Sequence, residues 1–98
     1  MFTRIVKLEF KEENISIFLA DFEKVKDRIR AFPGCMSLKL LQDKTDNTIF
    51  FTYSKWKSEE DLEAYKNSEL FGEVWPKTKK LFRGKPMAWS VDCIQSLD

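Results

Sequence analysis

Trp56 is the residue whose type and position bear most directly on chemistry in this chain. An aromatic strand ends on it, and a polar-capped helix begins two residues later. An indole at such a junction either anchors the helix on the sheet or walls a small-molecule pocket. The helix start is legible in Ser58, whose hydroxyl can accept from the first free helical N–H groups, and in Asp61, which answers from three residues on. This is a capping box with Asp where Glu or Gln is usual. Histidine is absent from the 98 residues. That removes imidazole ligation of zinc, non-haem iron and haem, the Ser-His and Cys-His nucleophile pairs, and the one side chain whose ordinary pKa lies near neutrality. Gly34, Gly72 and Gly84 stand apart, so no glycine-rich loop is present to cradle a phosphate. Neither a metal nor a cofactor is expected.

The elements that must position Trp56 follow from hydrophobic period. Arg4, Val6, Leu8 and Phe10 alternate with Ile5, Lys7 and Glu9, which predicts a first strand from Arg4 to Phe10. From Glu13 to Phe32, the apolar residues Ile15, Phe18, Phe22, Val25, Ile29 and Phe32 recur at helical spacing, and Pro33 and Gly34 stop the helix. Cys35 to Gln42 and Thr48 to Trp56 read as a hairpin across a polar turn. The next helix carries Leu62 and Tyr65. Ser68 caps a further helical segment, in which Pro76 predicts a kink or a division into two pieces. Met87 to Ile94 is the fourth strand. The order strand, helix, strand, strand, helix, strand is the split βαβ or ferredoxin-like arrangement: an α+β single domain over 1–98 with a four-stranded antiparallel sheet.

Strand three sends Ile49, Phe51 and Tyr53 to one side and Phe50, Thr52 and Trp56 to the other. Strand four divides Met87, Trp89, Val91 and Cys93 from Ala88, Ser90 and Ile94. Neither side is simply polar, so the face away from the helices is expected to pack on a second copy of the same sheet in a homodimer. Seventeen basic and sixteen acidic residues are interspersed, giving a formal charge of +1. No basic stripe points to nucleic acid or anionic lipid. With no apolar signal region and no run long enough to span a bilayer, the expectation is a cytoplasmic protein without a membrane partner. Cys35 and Cys93 each fall in a strand-like segment outside any Cys-x-x-Cys pair, and are expected as buried free thiols.

Arg4-Ile5-Val6, the Phe32-Pro33-Gly34-Cys35 turn, Tyr53-Ser54-Lys55-Trp56, Ser58-Glu59-Glu60 and Tyr65-Lys66-Asn67-Ser68-Glu69-Leu70-Phe71 together resemble the antibiotic biosynthesis monooxygenase (ABM) family. The likeness covers nearly the whole chain. It implies a dimeric α+β barrel of two ferredoxin-like protomers. For chemistry it implies several branches, among them cofactor-free oxygenases of aromatic polyketides, haem-degrading enzymes and enzymes acting on small quinones. In the haem-degrading branch a helical His binds iron, a Trp one helix earlier presses on the porphyrin, and a first-strand Asn completes the set. Trp75 and Tyr65 stand here in place of the first two, and the first strand has no Asn, so haem is not expected as a partner. The branch that oxidises phenolic polyketides resembles this chain at Trp56, whereas its Asn and Tyr correspond to Thr52 and Leu62.

Tyr65 lies one helical turn beyond Leu62 on nearly the same face, so its phenol can reach into the same cavity and donate a proton. The resulting candidate site has Trp56, Tyr65 and Thr52 as catalytic residues and Phe22 and Trp75 as contacts to a small apolar or aromatic ligand. Arg83 and Lys85 are candidates for meeting an anionic substrate at the rim. Each position also has a plain structural reading: Trp56 as helix-to-sheet anchor, Tyr65 and Trp75 as core, Thr52 as strand filling. Two functions follow. One is a cofactor-independent monooxygenase for a small electron-rich aromatic or quinol, and the other is a non-catalytic small-molecule-binding or structural dimer.

Overall fold

The computed structural model describes residues 1–98. Its elements are β1 (Phe2–Glu9), a short 3-10 turn (Glu12–Asn14), α1 (Ile15–Arg30), β2 (Cys35–Gln42), β3 (Ile49–Trp56), α2 (Glu59–Lys66), α3 (Glu69–Lys79) and β4 (Met87–Val91). The four strands form one antiparallel sheet in the order β2-β3-β1-β4, the ferredoxin-like arrangement predicted from element order. α1 packs on β2 and against α3, while α2 joins β3 to α3. No helix is long and apolar enough to cross a membrane.

Register fixes which side chains meet. Val6 on β1 lies opposite Thr52 on β3 and Ala88 on β4, and Thr52 lies opposite Leu40 on β2. This row, with Arg4, Leu8, Ser54 and Trp56 of the same period-two set, faces the helices. Two buried clusters fill that inner face. One joins Leu8, Phe10, Phe18 and Phe50, with Phe10 stacked on Phe18 at a ring separation of 4.2 Å. The other joins Cys35, Trp56 and Leu62, with Phe2, Phe32 and Tyr65 against it. Fully burying one such large apolar side chain stabilises the fold by roughly 1.5–3 kcal/mol.

Local chemistry explains the junctions. Gly34 adopts φ 89°, a left-handed conformation that costs glycine little. A Cβ at Gly34 would run into the Asp61 side chain. The same turn accepts a 2.8 Å hydrogen bond from the Lys57 N–H, clamping the β2 entry against the start of α2. Ser58 caps α2 by accepting from the Asp61 N–H at 3.2 Å, and Ser68 caps α3 by accepting from the Phe71 N–H at 3.1 Å.

Four expectations are revised. Of the two alternatives for Pro76, division into two pieces is ruled out, because the residue lies inside a continuous α3. Proline cannot bond the carbonyl four residues back, but that residue is Gly72, exposed like Pro76 itself, so water can serve the freed oxygen. The fourth strand ends at Val91 rather than Ile94, because Val91 already faces Thr3 and Cys93 would face Met1, outside β1. Cys93 is therefore exposed and outside the sheet, whereas Cys35 is buried; both are free thiols. Finally, the helical segment before Pro33 begins as the 3-10 turn and becomes α-helical only from Ile15.

Candidate functional site

A cavity of about 370 Å³ opens between the inner sheet face and the helices, and fourteen of its nineteen lining residues are hydrophobic. It separates the two core clusters: Leu8 and Phe18 border it from one, Trp56 and Leu62 from the other. Its size and apolar lining fit a small organic molecule. Trp56, Tyr65, Thr52, Phe22 and Trp75 all line this one cavity.

Trp56 combines the two readings that its sequence position leaves open. It touches the cavity, yet only 1% of its surface is exposed. Its indole N–H donates to the Ser54 hydroxyl at 3.0 Å, a residue two positions back and hence on the same sheet face. The ring therefore forms a back wall with its polar atom already engaged. It also packs on Tyr65 with centroids 5.2 Å apart and on Phe32 at 6.4 Å.

Tyr65 projects from α2 into an aromatic cluster, with Phe32 5.3 Å and Phe71 5.2 Å from its ring centre. Burial pushes its phenol up to about 12, with the neighbouring Cys35 adding to the rise. Desolvation also raises the Cys35 thiol, against an opposing pull from Arg30. The Tyr65 phenol thus stays protonated near neutrality. Its hydroxyl has no hydrogen-bond partner in the chain and is not sealed from solvent, leaving it available to a cavity ligand as a donor.

Thr52 sits mid-strand beside Val6 and Leu40 and adds a hydroxyl to the cavity wall. Phe22 borders the cavity from α1 and also backs the Leu8 cluster. Trp75 extends from α3, stacked on Phe71 at 15° with centroids 5.7 Å apart. Trp75 also backs the Leu8 cluster, so it serves core and cavity at once.

The two candidate rim cations lie elsewhere. Neither Arg83 nor Lys85 borders the cavity. Arg83 is held by Glu9 at 2.9 Å and donates to the Thr48 hydroxyl at 2.9 Å, and Glu9 raises its pKa further. It lies beyond the end of α3, in the segment leading to β4, and tethers that segment to β1. The cations that do line the cavity are Arg4 and Lys66. Arg4 has a sequence signal: it is the one charge on the side of β1 that otherwise carries Val6, Leu8 and Phe10. Lys66 has none, since a basic residue in the last turn of a helix has the macrodipole as sufficient reason. No three His, Cys, Asp or Glu side chains cluster in a way that could hold a metal ion.

Comparison with known proteins places this geometry in a family. The crystal structure of an antibiotic biosynthesis monooxygenase superposes with a TM-score of 0.90 at 22% identity, covering 97% of this chain and 100% of that one. A conserved protein from Methanosarcina mazei Go1 gives 0.87 at 19% identity, covering 94% and 92%. A protein from Pseudomonas aeruginosa gives 0.84 at 19%, covering 96% and 94%. At these identities the likeness establishes the fold. No curated protein matches the chain. The family model for antibiotic biosynthesis monooxygenases matches residues 1–75, which spans β1 through most of α3 and every cavity residue named above. The chain belongs to the antibiotic biosynthesis monooxygenase family.

Proposed function

We propose that this protein is a cofactor-independent monooxygenase acting on a small electron-rich aromatic or quinol-type molecule. The observation that carries the reading is the Tyr65 phenol: protonated, without a partner in the chain, and set in the wall of an apolar cavity. In such chemistry the ionised substrate itself gives electrons to oxygen. For an anthrone-like methylene, one oxygen atom becomes the new carbonyl and the other leaves as water. The methylene supplies both hydrogens and all the electrons. The protein's task is then to orient the ring, exclude water and hold a proton donor beside the developing oxyanion. Trp56, Phe22 and Trp75 provide the walls, and Tyr65 and Thr52 the hydroxyls.

Oxygen uptake with a panel of anthrones and quinols tests the reading, comparing wild type with Tyr65→Phe and Thr52→Val. Enzyme-dependent uptake that falls at least about tenfold in Tyr65→Phe supports it. Uptake indifferent to both substitutions would remove these residues from the chemistry.

A second reading, a non-catalytic binder of the same class of molecule, is favoured by Trp56. That residue is the point of likeness to the polyketide-oxidising branch, and its N–H is already committed to Ser54. Tight binding of the panel without oxygen uptake would select it.

The assembly proposed is a homodimer through the outer sheet face. Leu41, Met87, Trp89 and Val91 are exposed, and their strand positions share that face with Ile5, Phe51 and Tyr53. A second copy of the sheet would cover this apolar surface. Sedimentation equilibrium tests it, and a monomer at micromolar concentration would overturn it.

A further inference from the structure

The cavity holds one charge that the fold itself does not answer. Of the four arginines, Arg28 ends on the Glu73 carboxylate at 3.1 Å, Arg30 on the Cys35 carbonyl at 2.8 Å, and Arg83 on the Glu9 carboxylate at 2.9 Å. Arg4 ends only on the Ser90 hydroxyl at 3.0 Å. A hydroxyl satisfies one N–H but neutralises no charge. Arg4 lies on the inner face of β1 with Ser54 opposite on one side and Ser90 on the other. No Asp or Glu lines the cavity, whereas Arg4 and Lys66 both do. Lys66 is already paired with Glu63 at 3.6 Å on its own helix. The result is a largely apolar chamber with a free guanidinium in its sheet floor, flanked by the hydroxyls of Ser54 and Thr52.

We infer that the molecule bound here is an aromatic carboxylate, with its acid group on Arg4 and its ring among Trp75, Phe22 and Tyr65. This rests on the cavity being the substrate site of the proposed oxygenase, and adds the substrate's charge. A guanidinium presents paired N–H groups that match the two oxygens of a carboxylate, and apolar surroundings strengthen the pair. The hydroxyl of Ser90 holds Arg4 in place without competing for its charge. Selectivity follows from the same arrangement. A neutral analogue would leave the guanidinium's charge unanswered, while a cationic one would be repelled by Arg4.

Calorimetric titration of the folded wild-type protein with 2-naphthoate and 2-naphthamide, which differ in charge but scarcely in shape, tests the inference. The expected result is binding of naphthoate at least about tenfold tighter than naphthamide, as a charged hydrogen-bonded pair confers. Arg4→Gln should bring the two affinities together, and Arg4→Lys should keep part of the preference. Continued binding of naphthamide by Arg4→Gln certifies that the variant has folded with its cavity intact. Equal binding of the two probes by wild type, no binding of either, or a preference that survives Arg4→Gln would each overturn the inference. The wild-type comparison decides even if every variant misfolds. Oxygen uptake is scored separately: a carboxylate preference without uptake on any anthrone or quinol leaves this inference standing and removes the oxygenase. Uptake with indifference to charge does the reverse.

Discussion

The Trp56 indole and the Tyr65 phenol ring lie 5.2 Å apart at an interplanar angle of 31°, one at the end of β3 and the other in α2. Only the tyrosine of the pair has a free polar atom, since the tryptophan N–H is held by Ser54. The two residues therefore divide one contact: Trp56 packs the helix on the sheet, and Tyr65 keeps the free hydroxyl on which the proposed chemistry rests.

Substitution of Trp56 is accordingly expected to act on stability before activity. Trp56→Phe leaves a void and strands the Ser54 hydroxyl, at a cost of about 2–3 kcal/mol; Trp56→Ala costs about 3–5 kcal/mol. Urea denaturation followed by far-ultraviolet circular dichroism measures both. A Trp56→Phe protein as stable as wild type would show that the ring is not an anchor.

Tyr65 makes the fold sensitive to alkali. Its phenol is raised from 10.0 to about 12 by burial, so the folded chain holds this proton more tightly than the unfolded one. The stabilisation is complete below the unfolded value and is lost as pH rises through the folded one, amounting to at most about 2–3 kcal/mol. Tyr65→Phe should lose less stability than wild type between about pH 9.5 and about pH 12. Equal losses, measured by urea titration at each pH, would place the phenol in water.

Gly34 is held both by its backbone and by its neighbour. Gly34→Ala should destabilise by about 1–3 kcal/mol, from the left-handed φ and the collision with Asp61 together. Pairing it with Asp61→Gly isolates the steric part, because the Asp61 Cβ is itself among the atoms struck, and only removal of the whole side chain leaves the backbone cost at Gly34 beside the separate cost of the Asp61 substitution. A double-mutant cycle read by thermal unfolding checks this; strictly additive losses would refute the collision.

The tether at the opposite end of the sheet predicts a response to acid. Hydrogen bonds from the Thr48 hydroxyl and N–H, with a smaller pull from Arg83, hold the Asp46 carboxyl below its usual range. The depressed value means that this stabilisation is present above the unfolded carboxyl pKa and lost as pH falls through the folded one. Thr48→Val should flatten the fall in melting temperature on acidification from about pH 5 to about pH 2.5. An unchanged slope would mean that Asp46 gains nothing from the turn.

Much of this architecture is legible in residue order. The bounds of β2, the two serine caps and the faces of β3 follow from period and side-chain chemistry, because each depends on neighbours a few residues away. The end of β4 does not, since a strand stops where its partner does, and that is a property of register. Arg83 illustrates the same limit at the site. Its charge is visible in sequence, but its commitment to Glu9 links residues 74 positions apart. Arg4 was readable as a charge within an apolar alternation, yet only the packing of α2 and α3 turns that side of β1 into a chamber wall.

The central position of β1 gives its side-chain alternation a further meaning. A deletion of one residue between Thr3 and Leu8 would rotate the upstream part of the strand half a turn, exchanging a residue such as Arg4 for its neighbour. The cavity floor and the outer face are thus two readings of one reading frame, and chain length within this strand cannot drift by a single residue without rewriting both surfaces at once.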